Sequence, residues 1–260
     1  MTGRPRTVGG MSPLLPLFAT GLLAGAMNAL AGGGSFVTLP ALIAAGLPSV
    51  QANASSTVAL WPGGAASAWT YHERFRPVCG VAPRSMLAAT LSGGLAGSLL
   101  LLWTPSAAFD VILPWLLLLA TVALVFGRRI GAAWRGRLRS QAGLVLFAQF
   151  GLGLYGGYFG GAVGLMMVAT WMLLGEGDLK ALNAPRTLLV SAANTVAVLA
   201  FILADAVRWP QTLVMLAGGL VGGIAGARLG RVVPSGITRL LTLCWTTAIT
   251  GAFFARAYLR

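Results

Sequence analysis

The chain has 260 residues, 57% of them hydrophobic and only 9% charged, against roughly 25% charged in soluble domains. Eighteen basic residues, all but one of them Arg, face five acidic ones and leave a net charge of +13. A soluble globule with so few charges could not cover its surface, and a nucleic-acid binder would gather its cations on one water-facing patch. Here they stand between long apolar runs, so the composition specifies a polytopic membrane protein.

Arg4 and Arg6 precede an apolar stretch, Leu14–Ala26, that has the outline of a secretory signal. The run resumes directly after a glycine cluster and has a counterpart deep in the chain, so it reads as a retained segment. About 20 apolar residues cross the hydrocarbon layer as a helix. On that measure there are eight candidate segments: Leu14–Ala45, Ala52–Tyr71, Ser85–Trp103, Val111–Phe126, Ala142–Leu174, Thr187–Ala204, Thr212–Leu229 and Ile237–Tyr258. Straight helices as long as the first and fifth would reach roughly 48 Å across a ~30 Å core. Each carries glycines near its middle: Gly32, Gly33 and Gly34 in one, Gly156, Gly157, Gly160 and Gly161 in the other. Glycine leaves helical geometry without steric cost, so both segments are expected to be broken or re-entrant. Such backbone must be buried in protein or line a water-filled cavity.

Between the segments, the basic residues mark alternate connections. Arg4 and Arg6, then Arg74, Arg76 and Arg84, then Arg128, Arg129, Arg135, Arg137 and Arg139 contrast with the loops at 46–50 and 104–110, which carry none. The positive-inside rule with eight crossings places both termini and the 128–141 basic loop in the cytoplasm. It also puts Arg228, Arg231 and Arg239 outside, against the same rule. Trp103, Trp115 and Trp209 near segment ends fit an interfacial belt. Cys79 and Cys244 show no metal-ligand spacing, and the single His72 has no neighbouring ligand. No metal or cofactor is called for.

A shift of 130 residues aligns the halves without a gap, setting Asn53-Ala54 on Asn183-Ala184, Thr57 on Thr187 and Gly93 on Gly223. This divides the chain into an N-terminal transmembrane repeat (1–127), the basic loop (128–141) and a C-terminal repeat (142–260). Four crossings per half imply repeats of one orientation; broken segments that do not cross leave inverted repeats open. Gly93 and Gly97, like Gly218, Gly222, Gly226 and Gly230, have the four-residue spacing that lets helices approach closely.

Polar groups within membrane segments are costly unless used. The first half offers Asn28, Ser35, Thr38, Gln51, Asn53, Ser55, Ser56 and Thr57, and the second offers Asn183, Arg186, Thr187, Ser191 and Asn194. Both clusters open helices directly after the broken segments, where free N–H groups and the positive dipole end suit an anion. Arg186 would add a full charge, or would pair with Asp178 across the helix entry. The hydroxyl and amide side chains also serve as plain helix caps. Glu73, Asp110, Glu176, Asp178 and Asp205 all fall at segment ends, which favours a neutral or anionic substrate over a cation and leaves an intramembrane hydrolase little to work with.

The stretch Ala31-Gly32-Gly33-Gly34-Ser35-Phe36-Val37-Thr38-Leu39-Pro40, with Gly46-Leu47-Pro48 and Gln51-Ala52-Asn53-Ala54-Ser55-Ser56, resembles the sulfite exporter TauE/SafE family. Tyr155-Gly156-Gly157-Tyr158-Phe159-Gly160-Gly161 with Leu182-Asn183-Ala184-Pro185-Arg186 is similar to that family's second repeat. The resemblance runs from about Pro13 to Tyr258 and implies a multi-pass permease of the cytoplasmic membrane for sulfite, sulfonates or related small anions. Second repeats of the family often carry Lys or Arg after Asn-Ala, a place Arg186 fills, whereas Pro185 is less typical. The expectation is a secondary transporter, not an enzyme, working by alternating access on a small anion, with the proton or sodium as candidate coupling ion. Asn53, Ser55, Ser56, Thr57, Asn183 and Thr187 would donate hydrogen bonds and Arg186 the charge. An anion channel with the same site is the alternative reading, and a membrane hydrolase a weaker one.

Overall fold

The computed structural model describes residues 14–133, 141–179, 181–229, 232–233 and 235–259. The protein is all-helical and polytopic. Among the described residues ten α-helices follow in order: α1 (Leu14–Ala31), α2 (Ser35–Ala44), α3 (Ser49–Tyr71), α4 (Pro83–Trp103), α5 (Ser106–Ala133), α6 (Ala142–Tyr158), α7 (Val163–Leu173), α8 (Asn183–Leu203), α9 (Trp209–Leu229) and α10 (Ser235–Tyr258). Five of them, α4, α5, α8, α9 and α10, contain a stretch long and apolar enough to cross a membrane. α3 has the length, with 23 residues, but spends it on Gln51, Asn53, Ser55, Ser56 and Thr57.

Both long segments fold back on themselves. Gly156 packs beside Val163, and Trp171 Nε1 donates to Gln149 Oε1 at 3.1 Å, so α7 returns along α6. Gly34 lies against the Ala24 carbonyl and Asn28, ten and six residues back, so α2 returns along α1. The tips need left-handed backbone, with φ of 75° at Gly32 and 80° at Gly160, which glycine adopts at no steric cost. The second break spans 159–162, later than expected. Gly156 and Gly157 remain helical in α6, and Gly157 is needed there because a methyl group would overlap the Gly94 carbonyl.

The hairpins change the parity of the chain. Gly218, Gly222 and Gly226 advance along α9 as Phe18, Leu22 and Ala26 advance along α1, so these helices are parallel. α4 and α6 are parallel in the same way, through Gly93 and Gly97 against Phe150 and Leu154. α3 and α8 run antiparallel: Trp61 Nε1 donates to Thr195 at mid-length, while Gln51 and Ser55 meet Arg208 beyond the far end of α8. α5 and α10 are antiparallel too, with Thr121 on Thr250 and Val111 on Tyr258. Helices 130 residues apart therefore point in opposite directions, and the halves are inverted relative to each other.

One end of the array, the terminal end, holds the start of α1 and the close of α10. The opposite end, the basic end, holds the close of α5 and the start of α6. The eight-crossing arrangement puts termini and basic loop on one side; here two segments return to the end they came from, so the start of α1 and the close of α5 stand at opposite ends of the array. Arg74, Arg76, Arg84, Arg128, Arg129, Arg186, Arg228 and Arg239 belong to the basic end, so Arg228 and Arg239 stand with the other basic clusters, while Arg208 and Arg256 stand at the terminal end. Arg4, Arg6, Arg135, Arg137, Arg139 and Arg231 lie outside the described residues. Trp103, Trp115 and Trp209, all exposed, ring the terminal end.

Packing regroups the helices across the sequence midpoint. α1, α2, α3 and α9 form one bundle, and α4, α6, α7 and α8 form another. They meet along α3 and α8, while α5 packs on α7 and pairs with α10. Within bundles the contact is backbone to backbone: methyl groups at Gly25, Gly97 or Gly222 would overlap carbonyls of Gly219, Leu154 or Leu22. Gln149, fully buried, also donates to Thr90 at 2.8 Å and ties the second hairpin to α4.

Candidate functional site

A cavity of about 380 Å³ lies where the two hairpin tips meet the facing surfaces of α3 and α8. Its walls repeat at the 130-residue offset. Ser56 faces it with Arg186, Thr57 with Thr187, Leu60 with Val190, Gly64 with Asn194 and Ser35 with Leu165. The hairpin tips add Ala29 and Gly32 from one half, and Phe159 and Ala162 from the other. The helical repeat carries these wall positions: 56, 60, 64, 67 and 71 form one stripe of α3, as 186, 187, 190 and 194 do on α8.

The cavity opens toward the basic end, past exposed Ser67 and half-buried Tyr71, and ends blind on buried Phe159 and Ala162. Its polar inventory is Asn28, Ser35, Ser56, Thr57, Ser67, Tyr71, Arg186, Thr187, Ser191 and Asn194, and no carboxylate lines it among the described residues. Arg186 sits in the first turn of α8, where the helix dipole adds positive potential. Its aliphatic stem packs over Gly164 of the second hairpin. Pro185 breaks nothing there, because a first-turn residue has no intrahelical bond to donate. Asn194 Oδ1 is a buried acceptor without a hydrogen-bond partner among the described residues, and it stands 3.8 Å from where a Gly160 methyl would be. Ser56 is held by Thr38 of the first hairpin. Thr187 Oγ1 donates back to the Asn183 carbonyl at 2.8 Å, as Thr57 does to Asn53 at 2.9 Å.

Of the residues expected from sequence, Ser56, Thr57, Arg186 and Thr187 come together on this cavity, with Gly32 and Gly160 at its tips. Asn53, Ser55 and Asn183 do not line it. Asn53 is buried and its Nδ2 donates to the Tyr158 carbonyl at 3.0 Å. Ser55 Oγ accepts from the Arg208 N–H at 3.0 Å. Asn183 is exposed at the start of α8. The reason is orientation: α3 and α8 are antiparallel, so Asn53 and Asn183 lie toward opposite ends, Asn53 turned to the tip of the second hairpin and Asn183 to the surface at the basic end. Ser67 and Tyr71 were missed because they stand about three and four turns beyond the polar cluster, although the same helical stripe leads to them.

The profile of the family described as sulfite exporter TauE/SafE matches residues 17–253. Among curated proteins, the chain is 32% identical over 221 residues to the Escherichia coli (strain K12) protein named "Probable membrane transporter protein YfcA", covering 84% of this chain and 82% of that one. A "Probable membrane transporter protein" of Haemophilus influenzae is 31% identical over 221 residues, covering 85% and 86%. A Sinorhizobium protein named "Probable membrane transporter protein ORF9" is 28% identical over 237 residues, covering 90% and 89%. No solved structure matches significantly.

Proposed function

The chain belongs to the sulfite exporter TauE/SafE family of membrane transporters, and from that premise we propose that it moves a small anion by alternating access through the cavity between its inverted halves, 1–127 and 142–260. The observation that carries the proposal is the lining: one arginine and a helix dipole among neutral donors, with no carboxylate to repel an anion. Arg186 supplies charge, and Ser56, Thr57, Thr187, Ser191 and the Asn194 amide supply hydrogen bonds. Several weak donors with one cation hold an oxyanion without trapping it, as transport requires. Sulfite, sulfonates and related oxyanions are the substrate class. The blind inner end at Phe159 favours alternate opening over a continuous channel.

The positive-inside rule, applied to the basic end, places that end in the cytoplasm and the termini on the opposite side of the cytoplasmic membrane. Two hairpins that do not cross, with six through-going helices, give that arrangement. A coupling proton would have no lining carboxylate to ride on, so it would travel on the substrate or give way to sodium.

The test uses purified protein in liposomes, with sulfite, thiosulfate, sulfoacetate and a carboxylate control, with and without pH and sodium gradients. The expected result is saturable uptake of one sulfur oxyanion with counterflow. Arg186→Ala should lower transport at least about tenfold, since a hydrogen bond to a charged group contributes about 1.5–3 kcal/mol. Current without counterflow, or full transport by a well-folded Arg186→Ala protein, would overturn the reading.

A further inference from the structure

The two halves share a fold in opposite orientations, yet equivalent positions are not equally exposed. Ala29 and Gly32 at the first hairpin tip are exposed; their equivalents Phe159 and Ala162 are buried at 2% and 7%. Ser67 is exposed and Tyr71 half-buried, whereas Ala197 and Phe201 are both at 0%. In each pair the first-half member lines the mouth at the basic end and the second-half member closes the terminal end.

One polar contact follows the same division. Asn53 of α3 donates to the Tyr158 carbonyl at the tip of the second hairpin. That carbonyl is one of the last four of α6, which have no partner within the helix. The equivalent donor in the second half is Asn183, and the equivalent acceptor is the carbonyl of Asn28 at the tip of the first hairpin. Asn183 is exposed, at the mouth that is open. The bond exists where the cavity is shut and is missing where it is open. Asn53 belongs to the bundle of α1, α2, α3 and α9, and Tyr158 to the other bundle, so the bond joins the two bodies. It is a single bond, because Asn53 Oδ1 has no partner among the described residues, unlike the glycine seams that hold each bundle together.

We propose that Asn53 and Asn183 are alternating latches: Asn53 on the Tyr158 carbonyl shuts the terminal end, and in the opposite state Asn183 on the Asn28 carbonyl shuts the basic end. In that second state Ala197 and Phe201 line a mouth at the terminal end, while Ser67 and Tyr71 are buried. The two asparagines act on the equilibrium between states and not on the anion. This rests on the alternating-access reading above.

The test reads thiol accessibility in sealed vesicles of known orientation, with an impermeant maleimide, in a chain carrying Cys79→Ala and Cys244→Ala. Ser67→Cys reports the basic-end mouth and Ala197→Cys the terminal-end mouth; labelling after denaturation confirms that each thiol is present. Adding Asn183→Ala should raise Ser67→Cys labelling and lower Ala197→Cys labelling. Adding Asn53→Ala should do the reverse. Each variant should change the ratio of the two labelling rates about fivefold, the shift in the ratio of states that one hydrogen bond of ordinary strength sustains. A structural role would lower folded yield in both variants without moving the two mouths in opposite directions. If Ala197→Cys proves too crowded to fold, Ser67→Cys alone must still respond with opposite signs to the two variants. Failure of the opposite signs in protein that shows counterflow overturns the latches while leaving the transporter reading intact; absence of counterflow defeats that reading itself.

Discussion

At the scale of single residues, the same side-chain type does different work according to where the backbone carries it. Cys79, in the connection between α3 and α4, is held with φ of 51°, its N–H donating to Glu176 and its Sγ 3.7 Å from the Trp171 carbonyl. Burial, and secondarily the negative charge of Glu176, push its thiol up to about 12. The shift favours the protonated form, so at pH 8 its thiolate is about a thousandfold scarcer than that of an ordinary thiol, one decade for each pH unit of displacement. Since the thiolate is the nucleophile, iodoacetamide should modify Cys79 about a thousandfold more slowly in folded than in denatured protein. The rate should climb about tenfold per pH unit and level off only near pH 12. Glu176→Gln should recover a small part of the difference, because burial is the larger cause. Equal rates in folded and denatured protein at pH 8 would contradict this account.

At the scale of elements, glycine has three separate uses that composition alone cannot distinguish. Gly32 and Gly160 turn the hairpins, Gly97 and Gly157 let backbones touch, and Gly151 has open space beside it. Gly97→Ala would drive a methyl group into the Leu154 carbonyl, which only a shift of α6 against α4 relieves. Overpacking of this kind costs about 1–3 kcal/mol. Gly151→Ala meets nothing and gains helix propensity, about 0.8–1.0 kcal/mol. Thermal unfolding in detergent should therefore fall for the first variant and hold or rise for the second; equal behaviour would remove the seam as a source of stability. This is also where sequence reading reached its limit. The four-residue spacing marks the seams and excess length marks the two breaks, because both are local. Gly156 and Gly157 look like part of a break by composition, and only their partners show that they pack, Gly157 on Gly94 of α4 and Gly156 on Val163 and Ala193. Asn53 and Asn183 look equivalent in sequence, yet an antiparallel pairing of α3 and α8 sends them to opposite ends. Direction is a property of how helices assemble, and the sequence carries it only through the parity of crossings, which the hairpins alter.

At the scale of the molecule, sequence repeats and packed bodies are different partitions. The repeats divide near residues 128–141, but the first hairpin is fused by its glycine seam to α9, and α4 of the first half is fused to the second hairpin. Seams with carbonyls at the contact limit cannot slide, since any displacement drives backbone atoms together. The surface between the bundles is built differently, from side chains that share one apolar core, Val58 and Ala59 with Ala197 and Val198 among them, crossed by individual bonds such as Trp61 to Thr195 and Asn53 to Tyr158. Each contributes about 0.5–1.5 kcal/mol, which thermal motion and substrate binding can exchange. Motion should therefore separate α3 from α8 and leave α4 on α6. The two pictures part on one bridge. Thr90 and Gln149, 2.8 Å apart at their polar atoms, join α4 of the first half to α6 of the second. If the halves rocked as units, a short thiol-reactive bridge between Thr90→Cys and Gln149→Cys would stop transport. If the packed bundles are the moving bodies, the bridged protein should transport within about twofold of the same variant left unbridged, less than the contribution of one ordinary hydrogen bond. The unbridged variant sets the baseline, so loss of the Gln149 contacts to Trp171 and Thr90 does not enter the comparison. Arrest on bridging would return the motion to the sequence halves.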